Sequence, residues 1–234
     1  MAKKDTNKNI TIAEVLTKLQ AKAHPDQLAG MQRYGMTIEK RLGISMPDLR
    51  QIAREIGKNH ALALELWQTG IAEARIIAGM VAEADKLTEE EMESWVKDIN
   101  SWDVCDQTCD NLFEKSPLAD KKIRDWSQRD EEFVKRTAFS LIACLAWHDK
   151  KREDSRFLPV LEIIKQCATD ERNFVKKAVN WALRNIGKRS LFLNRAALET
   201  AREIQQLDSK AARWIAADAI RELKSAAVQK RLQK

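Results

Sequence analysis

The stretch Asn100-Ser101-Trp102-Asp103-Val104-Cys105-Asp106 combines residue types that could do chemistry at a useful spacing. Asn100 or Ser101 can cap a helix, and the four-residue interval then places Trp102 and Asp106 on one face. An indole beside a carboxylate at a helix start is a platform for a cationic or sugar-like ligand. The same pattern also suits a core tryptophan followed by first-turn acids that complement the helix dipole. Asp103 fits the dipole role, which leaves Asp106 without an obvious structural task. Trp181 sits among cations in Lys176-Lys177-Ala178-Val179-Asn180-Trp181-Ala182-Leu183-Arg184. Such interleaving favours nucleic acid, because cations hold phosphates while aromatics meet sugars or bases. A tryptophan in a helix pair is otherwise a core residue, and Trp67, Trp95, Trp126, Trp147 and Trp214 take that reading. Tyr34, the only tyrosine, lies in Met31-Gln32-Arg33-Tyr34-Gly35, just before the stop at Arg41-Leu42-Gly43-Ile44.

Other chemistries lack their signatures. There is no Gly-rich phosphate loop, no dinucleotide fingerprint and no His pair at metal-ligand spacing. His24, His60 and His148 fall near helix ends or loops, where capping or solvated roles suit them. Cys105 and Cys109 stand at i and i+4 without a second cysteine pair or a partnering His, so they read as small buried thiols rather than zinc ligands. With Cys144 and Cys167, their uneven spacing makes no disulfide framework in a chain of 234 residues. The expectation is no metal and no cofactor.

Composition narrows the class further. The chain is 44% apolar and 32% charged with 7 Gly and 4 Pro, too few breakers for a turn-dense all-β domain or a largely disordered protein. Mean hydropathy is −0.49 and no apolar run approaches the roughly 20 residues that span a bilayer. The polar start, Met-Ala-Lys-Lys-Asp-Thr-Asn-Lys-Asn, lacks a secretory apolar region, so a cytoplasmic location is expected. Net charge is +6, unevenly spread. Residues 1–120 carry 15 Lys+Arg against 20 Asp+Glu, a net of −5, and residues 121–234 carry 26 against 15, a net of +11. A basic second half points to a polyanionic partner, although solvated helix faces give the same count.

These residues need elements to position them, and almost every segment has a period near 3.6. Helices are expected at 11–22, 26–40, 46–57, 59–69, 72–84, 88–98, 101–115, 118–128, 130–147, 154–168, 171–187, 191–207 and 209–228. Pro25, Gly43 with Pro47, Gly57, Gly70, Ser116-Pro117 and Gly187 mark the stops. Thr88-Glu89-Glu90-Glu91 has the form of a capping box. Helices this short bury their faces by stacking in pairs. Val134-Lys135-Arg136-Thr137-Ala138 and Val175-Lys176-Lys177-Ala178-Val179 open similar helices 41 residues apart. Glu73-Ala74-Arg75-Ile76-Ile77-Ala78 and Ala211-Ala212-Arg213-Trp214-Ile215-Ala216 are looser echoes. A repeat near 40 residues is the HEAT/armadillo habit. The expected fold is all-α: an α-solenoid of HEAT-like antiparallel helix pairs, stacked right-handed, with a concave basic groove. Residues 1–10 read as a loose polar tail and 11–234 as a single domain, with His148–Ser155 an insertion between helices.

Together these segments resemble the AlkD-like DNA alkylation repair family, the HEAT-like-repeat alkylpurine DNA glycosylases. The resemblance runs from about residue 11 to 225. It rests on Met31-Gln32-Arg33-Tyr34 with Leu42-Gly43-Ile44 and Pro47, on Ser101 to Asp106, on Lys135-Arg136-Thr137-Ala138, and on Lys177 to Arg184. Ser101, where some members carry a second Trp, Cys105 and the insertion at His148–Ser155 depart from the family pattern. The resemblance implies a catalytic cluster of Trp102, Asp106 and Trp181. It makes Arg136 and Tyr34 groove residues near the lesion and Arg184 a phosphate contact, with Lys135 and Lys177 joining the DNA-binding set. The implied partner is duplex DNA containing purines alkylated at N3 or N7, bound by a monomer. Such a base is cationic and leaves without a proton, so the difficult charge develops on the sugar, as in glycoside hydrolysis. One carboxylate can stabilise that oxocarbenium-like state and orient water, and the absence of a lysine in the cluster implies a monofunctional enzyme. The competing reading is a non-catalytic HEAT-like scaffold that binds nucleic acid or protein.

Overall fold

A computed structural model describes residues 10–233, and the loose tail expected at residues 1–10 falls almost wholly outside them. Among the described residues there are fourteen α-helices, three short 3₁₀ turns and no strand. No helix among them is long and apolar enough to cross a membrane. By internal contacts the chain forms two compact units, Met1–Leu87 and Thr88–Lys234.

The first unit contains α1 (Ile12–Ala21), α2 (Leu28–Arg33), α3 (Met46–Ile56), α4 (His60–Gln68) and α5 (Ala72–Val81). Thr11 and Glu14 form a reciprocal capping box at α1, and Ser45 and Asn59 cap α3 and α4 through their side-chain oxygens. α5 is covered by α3 and α4 and buries eight of its ten residues, Glu73 among them. The Glu73 carboxylate accepts the backbone N–H groups of Leu42 (3.0 Å), Gly43 (2.8 Å) and Ile44 (3.3 Å). This anchor explains a correction: the helix expected over 26–40 is a 3₁₀ turn followed by only six residues of α2. From Tyr34 to Ser45 the chain is irregular, with Gly35 at φ 77° and Gly43 at φ 81°. A Cβ on Gly43 would lie 2.2 Å from the His24 carbonyl oxygen, so only glycine fits there.

The second unit contains α6 (Glu89–Asp98), α7 (Trp102–Asn111), α8 (Ala119–Ser127), α9 (Glu132–His148), α10 (Leu158–Gln166), α11 (Asn173–Gly187), α12 (Leu191–Gln205), α13 (Lys210–Leu223) and α14 (Ala226–Leu232). Thr88 and Glu91 make the capping box expected for α6. α9 is the hub: α6, α7, α8 and α11 all pack on it, and twelve of its seventeen residues are buried. That is why its hydrophobicity runs nearly all round. α9 and α11 start 41 residues apart, each with a buried valine (Val134, Val175) at its third residue. At Gly187 the two Leu223 methyls lie 2.6 and 2.7 Å from where a Cβ would stand, so this glycine lets α11 and α13 approach closely.

One further expectation changes, and one segment gains its anchor. The helix read over 209–228 breaks at Lys224-Ser225, where Ser225 caps the separate α14. The insertion after His148 is tied down by Arg189, which donates to the Asp149 carbonyl (2.6 Å) and to Asp154 Oδ1 (2.9 Å).

Candidate active site

Asp106 lies mid-way along α7, four residues after Trp102, and both are partly exposed. Ser101 occupies the N-cap position, and its hydroxyl donates to Asp103 Oδ1 at 2.5 Å. Asp103 therefore sits in the first turn with a partner of its own, as the dipole reading expects.

Asp106 is held from the facing helix. Arg136 Nη2 on α9 donates to both carboxylate oxygens, at 2.8 and 3.0 Å, and Ser140 Oγ donates to Oδ1 at 2.8 Å. Arg136 and Ser140 are one turn apart on the same face of α9. The second guanidinium nitrogen, Nη1, donates to the carbonyl of Phe174 in α11 at 2.8 Å. Three consecutive layers of the helix stack thus meet at one ion pair. The Arg136 side chain is 6% exposed and that of Asp106 is 21% exposed, so the carboxylate retains a face toward solvent. Beneath it, Cys105 Sγ lies 3.3 Å from Thr137 Oγ1, and Cys105 and Cys109 are the buried thiols expected. Burial pushes the Asp106 carboxyl above its ordinary value, while the Arg136 charge and the Ser140 hydrogen bond pull it back. For Arg136, burial disfavours the cation, but the charge and hydrogen bonds of Asp106 together with the neighbouring thiols outweigh it, and the guanidinium is held above its ordinary range.

Trp181, on α11, is partly exposed and lines a cavity of about 350 Å³ with Asp110, Ala143, Cys144, Trp147, His148 and Asn185. Asp110 follows Asp106 by one helical turn, so the wall bearing Trp181 adjoins the face of α7 that carries the ion pair.

The cations behave unequally. Lys177 is exposed, with no ion-pair partner among the described residues. Lys135 lies 3.6 Å from Asp170 and is 16% exposed. Arg184 pairs with Glu222 and lies 3.6 Å from Asp218, so its charge is largely spent within the protein. Tyr34 belongs to the first unit and is 78% exposed at the end of α2.

Two tryptophans read as core are surface residues: Trp147 is 48% and Trp214 42% exposed. Lys150 and Arg231 lie over the Trp147 ring and Lys176 over that of Trp214. The cations shield ring faces that period alone assigns to the interior. Sequence reasoning also missed Ser140, although its spacing from Arg136 put it on the same face.

Residues 15–223 match the family model described as DNA alkylation repair enzyme, and the chain belongs to that family. No curated protein matches it significantly. A solved structure 19% identical superposes with a TM-score of 0.77, covering 95% of this chain and 96% of that one. It represents a new family of proteins related to the HEAT-like repeat DNA glycosylases, with affinity for branched DNA structures. The all-α, HEAT-like architecture is thus shared. An engineered protein (12% identity, TM-score 0.43, covering 91% of this chain and 99% of that one) is more distant. So is a designed armadillo repeat protein in complex with a (KR)4 peptide (15% identity, TM-score 0.38, 95% and 96% covered).

Proposed function

We propose that the protein hydrolyses the N-glycosidic bond of cationic N3- or N7-alkylated purines in duplex DNA, as a cytoplasmic monomer without strand cleavage. The observation that carries this reading is the Asp106 carboxylate, oriented by Arg136 and Ser140 yet partly open to solvent, in a chain of the DNA alkylation repair family. As the base departs, positive charge grows on the deoxyribose, and a fixed carboxylate beneath the anomeric carbon stabilises that state more than the ground state. Held by two donors on α9, Asp106 needs little reorganisation at that moment. Trp102 and Trp181 would offer indole faces to the sugar. Lys177, with Lys135 and Arg184, would hold the flanking backbone. The decisive experiment is incubation with duplex DNA bearing one N7-methylguanine, followed by alkaline cleavage. Base release by the wild type and not by Asp106→Asn supports the reading.

The second reading is binding of branched DNA without chemistry, favoured by the description of the protein with TM-score 0.77. A four-way junction bound much more tightly than duplex, with no base release from the methylated substrate, would select it.

A further inference from the structure

Beyond the ion pair, α7 and α9 face each other again at Asp110, Glu114 and His148. Asp110 is on α7 and Glu114 one turn further on, in the 3₁₀ turn Phe113–Lys115; His148 ends α9. His148 Nδ1 lies 2.9 Å from Glu114 Oε2 and 3.4 Å from Asp110 Oδ1, and one donor atom from each of the three residues falls within 4.8 Å of the others. We propose that Asp110, Glu114 and His148 form a zinc site that clamps the end of α7 to the end of α9.

Three observations support this. First, the donors are within reach of one metal: bonds of about 2.0–2.2 Å in a tetrahedron place neighbouring donors roughly 3.3–3.6 Å apart, against 2.9 and 3.4 Å to His148 and at most 4.8 Å between any two, so side-chain movements of about an ångström suffice. Second, Glu114 is 7% exposed, a buried carboxylate whose ring partner His148 is 42% exposed. Two carboxylates beside one imidazole make a donor set of net negative charge at a half-buried position, which a divalent cation would offset. Third, Asp110 and His148 also line the cavity beside Trp181, which has room for a water in the fourth position. An imidazole with two carboxylates suits zinc better than magnesium or calcium, which prefer all-oxygen shells. The clamp would brace the two helices that carry Asp106 and Arg136.

Titration calorimetry of chelator-stripped full-length protein with ZnCl₂ tests this, alongside thermal unfolding. One zinc should bind with micromolar or tighter affinity and raise the melting temperature by several degrees. His148→Ala and Glu114→Gln should each weaken binding at least tenfold. His24→Ala, at a separate histidine 3.9 Å from Asp26, should bind as wild type does. His148 is exposed, so its variant should fold, and an unchanged circular dichroism spectrum would verify this. Wild-type binding no tighter than that of His148→Ala, or equal losses in His148→Ala and His24→Ala, would overturn the proposal. Because the readout is zinc binding, it stands or falls separately from base release.

Discussion

Replacing Arg136 with Met separates the charge that holds Asp106 from the carboxylate itself. The guanidinium nitrogen lies 2.8 and 3.0 Å from the two oxygens, which puts the charge centres about 4 Å apart. At an effective dielectric of roughly 20 that attraction is about 4 kcal/mol. Partial exposure of Asp106 trims it, leaving about 3 kcal/mol, on the order of 10²-fold in the ionised fraction or its placement. Burial already pushes the Asp106 carboxyl up, and removing Arg136 removes the main opposing influence, so the acid rises further. At neutral pH the variant should then release an N-methylated purine on the order of 10²-fold more slowly than wild type. Its rate should recover about tenfold per pH unit as the carboxyl ionises, while wild type reaches its plateau at lower pH. The stability sign follows. A carboxyl raised in the fold binds protons more tightly than in the unfolded chain, so the contribution of this one group to the variant's stability is fully present at low pH and is lost as pH rises through the raised value. Losing the pair and the bond to the Phe174 carbonyl should cost about 3–5 kcal/mol in all. Single-turnover rates at saturating enzyme, about pH 6 to 9 and well below the melting temperature, make the assay. A constant rate loss at every pH would refute the argument, since Arg136 would then act on DNA and not through Asp106.

Three further outcomes are expected. Asp106→Asn should lower single-turnover base release at least on the order of 10²-fold with little change in DNA affinity, whereas Asp103→Asn should cost well under about 1 kcal/mol in either. Lys177→Ala should flatten the dependence of log affinity on log salt by about one unit, while Arg184→Ala, its charge already met by Glu222 and Asp218, should flatten it less; binding titrations across salt compare them. Hydrogen bonds from Lys121 and Lys122 hold Glu89 at about 2, so stability present above the ordinary glutamate range is lost as pH falls toward that value. Acid unfolding of Glu89→Gln should show a shallower decline over that window, and an identical curve would remove Glu89 from the account.

What the sequence determined by itself was local. A period near 3.6 placed most helices of both units, because amphipathic spacing is a property of neighbouring residues. The pairing of Trp102 with Asp106, and the dipole role of Asp103, follow from a single helix start for the same reason. The α2 error shows the limit: Met31 to Lys40 has helical spacing, yet Glu73, some thirty residues on, captures the Leu42–Ile44 amides and holds the chain in another path. Resemblance grouped Arg136 with Asp106, but only the tertiary structure made them an ion pair and added Ser140 and the Phe174 carbonyl. Exposure divided the same way, since the period that buries Trp95 and Trp126 assigns Trp147 and Trp214 to the interior as well, where they are not found. Which faces are covered depends on the next helix in the stack and on cations that reach across from it. Those contacts join residues distant in sequence, and no local pattern encodes them.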